Sequence, residues 1–197
     1  MSKKDPLAPL LATLRDLVAW LKAERVPAVI IGGVAASLLG RPRVTRDVDA
    51  LVLLDEEHWE TFLSAGARFG LVPRNPDTLA FARQTRVLLV RHKPSSIDAD
   101  IVFGELQFEK EAVGKALSVN LGGVRVPLPA PEDLIIMKAV ANRPRDLADI
   151  EAILDAHPKM NLRRVRRWVR EFSSALDMPR IIDDLEALLA QRRKRKR

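Results

Sequence analysis

Two short apolar runs in this chain are each interrupted by the same pair of acids. Residues 47–54 read DVDALVLL and residues 97–103 read IDADIVF. Both have the length and the Val/Ile/Leu content of buried strands. Side chains alternate along a strand, so Asp47 and Asp49 share one face, and so do Asp98 and Asp100. Carboxylates that close repel one another unless positive charge lies between them. Left half-buried without a partner, they are costly. Hard oxygen ligands at this spacing suit Mg²⁺, which binds through one or two carboxylates together with substrate phosphates. Laid side by side, the two strands would offer three or four carboxylates to one metal pair, the requirement of two-metal phosphoryl transfer. A single Asp-x-Asp is common on exposed strands and in turns. Two of them in separate apolar strands call for positive charge, from metal or from the nearby basic residues.

The rest of the chain supplies a frame for those strands. Leucines at 7, 10, 11, 14, 17 and 21 have helical spacing, and Pro27 closes that helix. Ala28–Ile31 is long enough for one buried strand. Gly32-Gly33 breaks it, residues 34–39 read as a short helix closed by Gly40, and residues 41–46 form a basic loop. A helix with an acidic start is expected over 56–69, and β-type residues over 79–92, clearest at 87–90. Residues 119–121 and 124–126 flank Gly122-Gly123, a hairpin signal. Beyond Pro127 and Pro131 only helices are expected, over 132–141, 145–156, 161–174 and 179–191. Trp20, Trp59 and Trp168 fall in predicted helices and are expected in a core or a helix seam. The three histidines, at 58, 92 and 157, show no partner pattern.

The expected fold class is therefore α/β (α+β): a small mixed sheet of roughly four to six strands flanked by helices, then a C-terminal helical bundle. The expected domains are 1–130 and 131–197.

Gly32-Gly33 stands where a strand turns into a helix. Glycine there allows close backbone approach to a phosphate, and the helix start offers free N–H groups. No GxGxxG or Walker-type GK[ST] occurs, so the turn is neither a dinucleotide fingerprint nor a P-loop. Thirteen residues separate Gly33 from Asp47, enough for one short helix and a return to an adjacent strand.

With these pieces in place, IIGGVAASLLGRPRVTRDVDALV resembles the signature of the DNA polymerase β-type nucleotidyltransferases. In that signature a strand, Gly-Gly or Gly-Ser, a short helix and Asp-x-Asp follow in order, with a third carboxylate on a later strand. The segment PLPAPEDLIIMKAVANRPRDLADIEAIL resembles the minimal, AbiEii-like members, abortive-infection and toxin–antitoxin nucleotidyltransferases, which carry a helical Lys before an Arg-x-x-Asp element. The resemblance spans roughly residues 27–156. It implies that Gly32 and Gly33 hold the triphosphate of an NTP, ATP among the candidates. It implies that Asp47 and Asp49 bind two Mg²⁺ ions, with Asp100, or Asp98 on the same face, as third ligand. Asp100 is preferred because Ile-Val-Phe-Gly follows it. Lys138 would lie near the phosphates or the acceptor, and Asp146 and Asp149, three apart on one helix, would position Lys138 or Arg143 or touch substrate. Ser37 and Arg46 join the nucleotide-binding candidates. Without the motif, Lys138 reads as a snorkelling surface lysine, and the arginines at 41, 43 and 46 as charge balance.

Charge narrows the partners. Residues 1–160 carry 21 Lys/Arg and 21 Asp/Glu, whereas residues 161–197 carry 12 against 5. The net +7 therefore sits at the C-terminal end, six cations of it in residues 192–197. A polyanion such as RNA or tRNA is the matching partner; a solvated basic tail is the plain alternative. No cysteine is present, which excludes thiol catalysis and Cys-ligated metals. The N-terminal segment MSKKDPLAPLL has no apolar leader core, and no run nears the roughly 20 apolar residues of a membrane span. The expectation is a cytoplasmic enzyme moving an NMP from an NTP to an acceptor hydroxyl on RNA, a tRNA end or protein, as a toxin with a cognate antitoxin. The other readings are a catalytically silent nucleotide-binding module acting as antitoxin or regulator, and a basic nucleic-acid-binding protein without a nucleotide site.

Overall fold

The computed structural model describes residues 7–195; residues 1–6 of the N-terminal segment and Lys196 and Arg197 of the basic tail lie outside the described residues. Two compact units form. One holds the residues up to Val34 together with Val44–Pro129, and the other holds Ala35–Arg43 together with the residues from Ala130 on. Among the described residues no helix is long and apolar enough to cross a membrane.

The first unit is built on a five-stranded mixed sheet of β1 (Ala28–Ile31), β2 (Asp47–Val52), β3 (Leu71–Pro73), β4 (Val87–His92) and β5 (Ile97–Phe103), in the order β1-β2-β5-β4-β3. Only β2 and β5 run parallel; the other neighbours are antiparallel. Alternation sorts the two faces. Val48, Ala50 and Val52 of β2 stand in register with Ala99, Ile101 and Phe103 of β5, and all six are buried. The aspartates fall between them and so belong to the opposite face.

On the apolar side lies α1 (Ala8–Ala23), which buries Leu14, Leu17, Val18, Trp20 and Leu21. It stops at Arg25, whose backbone is left-handed (φ 55°). After a 3₁₀ turn comes α3 (Trp59–Gly66), which joins it there, and four aromatics interlock. Trp20 stacks on Phe62 at 4.0 Å, Trp59 stacks on Phe103 at 3.9 Å, and Phe62 meets Phe103 edge-on at 6.5 Å. A hairpin of β6 (Leu117–Leu121) and β7 (Val124–Leu128) turns at Gly122 and Gly123, both at positive φ.

Three local features depart from the sequence expectation. Residues 79–85, expected as β-type, lie in α4 (Thr78–Thr85). Only Thr78 and Ala82, one helical turn apart, are buried there, so the segment is a surface helix and the β-branched run begins at Val87. The helix α5 (Gln107–Gly114) had no counterpart in the reading; the Glu109 carboxylate accepts the backbone N–H of Glu105 and of Leu106 and so starts it. His92 does have partners. It is fully buried, with Nε2 3.0 Å from Asp16 Oδ2 and Nδ1 2.7 Å from Ser95 Oγ, which pins α1 to the β4–β5 turn.

The second unit contains α6 (Pro131–Ala141), α7 (Pro144–Ala156), α8 (Leu162–Ala175) and α9 (Arg180–Arg195). Leu134, Ile150, Ile153, Val165, Val169, Ile181, Leu185 and Leu189 form its core. Most of α2 (Gly32–Leu39) belongs to this unit. His157 Nε2 lies 2.8 Å from the Leu39 carbonyl, and Gly40 packs so closely on the α7 backbone that a Cβ there would meet Ile153 N at 3.1 Å.

Phe62 touches both aromatic stacks, so Phe62→Ala is expected to cost about 3–5 kcal/mol of stability. Urea unfolding measures it, and a loss below about 1 kcal/mol would show that the stacks do not hold the sheet to α1 and α3.

Candidate active site

The parallel pairing of β2 with β5 sets Asp47 opposite Asp98 and Asp49 opposite Asp100. Paired and alternate positions share a face, so all four carboxylates stand on the polar side of the sheet. Asp47 is exposed, and the other three are half-buried. On the far side of β2, Ile31 at the end of β1 is the partner of Asp49, so the chain turns into α2 beside that carboxylate. Gly32 makes this turn at φ +63°, and a Cβ on it would sit 1.8 Å from Asp49 Oδ2. Glycine is required twice over: for the left-handed backbone and for the space that the carboxylate fills. Gly33 follows in the first turn of α2.

Positive charge reaches the cluster from β3 and β4. Arg91 holds Asp98 with both Nε (2.6 Å) and Nη2 (3.2 Å). Arg74, directly after β3, spans the two acids of β5, its Nη1 3.1 Å from Asp98 Oδ2 and its Nη2 3.2 Å from Asp100 Oδ1. The two aspartates respond in opposite senses. Arg91 beside Asp98 holds that carboxyl below the usual carboxylate range; burial opposes this and Arg74 adds to it. Burial pushes the Asp100 carboxyl up; Arg74 works against the rise, and the charges of Asp47 and Asp98 add to it. Asp100 Oδ1 is buried and, although close to Arg74, makes no aligned hydrogen bond.

These residues fit a hard divalent cation by donor chemistry: carboxylate oxygens only, drawn from two adjacent strands, with one buried oxygen unsatisfied. Among the described residues no three His, Cys, Asp or Glu side chains are already gathered into a metal cage. Arg74 and Arg91 supply countercharge to the two acids of β5.

The helical unit holds a second charged cluster. Lys138 of α6 is only 5% exposed, and its Nζ lies 2.9 Å from Asp146 Oδ1 and 2.8 Å from Asp149 Oδ2. The three-residue spacing on α7 sets both carboxylates on the face toward Lys138. Arg143 Nε donates to Asp146 at 2.7 Å, and Arg43 grips Asp149 through Nε and Nη2, both at 2.8 Å. Burial pushes the Asp146 carboxyl up, but Arg143 and Lys138 outweigh it and hold it low. Asp149 is likewise raised by burial and, on balance, held low by Arg43 and Lys138.

Of the residues singled out by sequence, Asp47, Asp49, Asp98 and Asp100 come together on one face of the sheet, with Gly32 at the start of α2 packed on Asp49 and Gly33 next in the chain. Lys138, Asp146 and Asp149 come together in the helical unit. Lys138 is no snorkelling surface lysine: its ammonium is buried and doubly paired. The Ser37 hydroxyl donates to the Arg43 carbonyl at 3.1 Å, and so fastens the loop after α2. Arg46 is exposed just before β2. Of the loop arginines, Arg43 proves to be a partner of Asp149. Arg74 and Arg91 were missed. Arg91 lies within the expected strand region, where its pairing with Asp98 follows from the register of β4 with β5; nothing in the segment around Arg74 signals its role.

Both α7 aspartates are more acidic folded than unfolded, so the cluster's contribution is complete above the unfolded carboxyl value of about 4 and is lost as the pH falls through the lower folded values. Lys138→Met leaves two buried carboxylates short of a partner and is expected to cost roughly 3–5 kcal/mol at neutral pH. In urea titrations from pH 7 to pH 3 the gap between wild type and variant should narrow below about pH 4. A gap of the same size at both ends would contradict this.

Comparison with known proteins adds the family and the fold. Residues 15–196 match the family model described as the nucleotidyl transferase AbiEii toxin of type IV toxin–antitoxin systems. No curated protein matches the chain at the sequence level. Among solved structures, the antibiotic-resistance factor ANT(2'')-Ia superposes with a TM-score of 0.61 at 16% identity, over 86% of this chain and 94% of that one. An antigenic nucleotidyltransferase-like protein from Paracoccidioides brasiliensis gives 0.53 at 16% identity, over 88% and 92%. The lincosamide adenylyltransferase LnuA, bound to lincomycin, gives 0.52 at 15% identity, over 73% and 96%. At these identities the structural likeness speaks for the fold, and the family model, which spans nearly the whole described chain, speaks for the lineage: the chain belongs to the AbiEii family of nucleotidyltransferase toxins.

Proposed function

We propose that this nucleotidyltransferase moves an NMP from an NTP to an acceptor hydroxyl in a Mg²⁺-dependent reaction and serves as the toxin of a toxin–antitoxin pair. The observation that carries the reading is the in-register placement of Asp47/Asp98 and Asp49/Asp100, with the Gly32 backbone packed on Asp49. Asp47, Asp49 and Asp100 would hold the metal. Asp100 is preferred to Asp98 because Asp98 is already held by Arg91 from one side and Arg74 from the other, whereas Asp100 keeps a buried oxygen without a hydrogen bond. Two bound Mg²⁺ ions would lower the pKa of the attacking hydroxyl and neutralise the departing pyrophosphate.

The protein's own part is orientation. The Gly32 turn sets the start of α2 beside Asp49, where Gly33 in the first turn would offer the nucleotide's phosphates an N–H with no partner inside the helix. The β2–β5 register fixes the carboxylates in place before substrate arrives. Lys138 and Asp146 enter the proposal through the family pattern. Their ion pairs within the helical unit hold a buried ammonium in a fixed position.

An RNA or tRNA end is the acceptor favoured by charge. Arg163, Arg167 and Arg170 are exposed along α8, and a surface of this kind binds through phosphates and weakens with salt. A protein side chain is the other acceptor in the proposal, and a cognate antitoxin is the proposed protein partner. The setting proposed for the pair is the cytoplasm.

The test is incubation with each α-³²P-labelled NTP and Mg²⁺, with and without total RNA, resolved on a denaturing gel. Label is expected in a tRNA-sized band. Label in protein alone would move the acceptor to a side chain. The double variant Asp47→Ala/Asp49→Ala should lose about a thousand-fold or more of the transfer, since several kcal/mol of charge stabilisation go with the metal, while its circular dichroism stays that of the wild type. Full activity in that variant would overturn the site assignment.

A further inference from the structure

Arg74 reaches the carboxylate cluster from the edge of the sheet. Its backbone is anchored, with its N–H donating to the Leu89 carbonyl at 3.0 Å. Its side chain is 27% exposed and leads out from β3, the three-residue strand at the edge of the sheet. Of its two contacts, at 3.1 and 3.2 Å, the one to Asp100 lacks hydrogen-bond alignment. Arg91, by contrast, grips Asp98 through two hydrogen bonds, at 2.6 and 3.2 Å, so that acid keeps a partner when Arg74 leaves. The link between Arg74 and Asp100 is therefore the cheapest to break when further positive charge enters.

From this geometry we infer that Arg74 is an exchangeable counter-ion. It neutralises Asp100 while no metal is bound, yields that carboxylate to the divalent cation, and turns its guanidinium to the phosphates of the incoming nucleotide. The inference rests on the metal-binding reading of Asp47, Asp49 and Asp100. Three physical points support it. Arginine and a divalent cation compete for the same buried oxygen, and like charges exclude one another at this separation. The planar fork of a guanidinium matches phosphate as well as carboxylate. A triphosphate arrives with more negative charge than the carboxylate it would replace as partner. Arg74 would thus be a positioning residue for the empty site and a specificity residue for a polyphosphate.

A merely structural arginine and an exchangeable one predict opposite signs. With the full-length chain, Mn²⁺ binding in the absence of nucleotide is followed by the EPR signal of the free ion. Binding of a non-hydrolysable NTP analogue with Mg²⁺ is followed by calorimetry. Arg74→Ala should bind Mn²⁺ about ten-fold more tightly than the wild type, because the competitor is gone, and should bind the analogue about ten-fold more weakly, because a phosphate partner is gone. Arg74→Gln, which keeps most of the stem and removes the charge, carries the same expectation and replaces the alanine variant if that one does not fold. Metal affinity unchanged or weakened in a folded variant overturns the inference, and so does analogue binding at wild-type strength. Asp49→Asn separates the two levels. If wild type binds Mn²⁺ and Asp49→Asn does not, the metal site stands whatever Arg74 does. If the wild type binds no Mn²⁺, the site and the inference fall together.

Discussion

The structure of the sheet unit turns on one electrostatic constraint: four aspartates share one face of two adjacent strands, and their charges must be answered. The pairing of β2 with β5 in parallel, with Asp47 opposite Asp98 and Asp49 opposite Asp100, creates the crowding. Everything nearby responds to it. Gly32 gives up its side chain so that the Asp49 carboxylate fits against the turn. Arg91 comes from β4 to saturate Asp98, and Arg74 reaches in from beyond β3 to share Asp100. The apolar face beneath is made of small and branched residues in matching register, closed by stacked aromatics. A rigid, well-buried underside is what lets the opposite face hold like charges close together without the strands parting.

The helical unit solves a similar problem by another route. There the charges are of both signs, and the lysine and both aspartates are nearly dry. One lysine serves two aspartates, and each aspartate has an arginine of its own. Such a cluster is expensive to desolvate and contributes geometry more than stability. Its members are fixed in position, and removing one leaves the rest uncompensated. The two clusters thus stand for different uses of buried charge: a satisfied network in the helices, and an under-satisfied one on the sheet whose remaining countercharge is suited to come from a ligand.

Much of this was legible from residues alone. The spans of β1 and β5 followed from apolar runs and alternation, and the return from Gly33 to an adjacent strand followed from the thirteen-residue interval; the pairing of the two Asp-x-Asp strands with each other needed the sheet order. Helices α6 to α9 followed from periodicity and proline punctuation. What escaped had weak local signals. The α4 helix buries only Thr78 and Ala82, so it leaves no apolar stripe to read. The β3 strand is three residues long. Arg74 owes its role to strand order rather than to its neighbours in sequence. Both acids share a face, and the preference for Asp100 came from the Ile-Val-Phe-Gly that follows it; the arginines on Asp98 support the same preference. The partners of His92 are likewise set by packing, since Asp16 lies on a different element far away in the chain.

The central claim is that the two Asp-x-Asp strands form one cation site and that Asp100, not Asp98, completes it. Anomalous diffraction from crystals grown with Mn²⁺ and a non-hydrolysable NTP analogue addresses this directly. The account predicts anomalous peaks within coordination distance of Asp47, Asp49 and Asp100, with Asp98 still on Arg91. Peaks that leave Asp100 uncoordinated, or manganese bound only elsewhere on the chain, would contradict it.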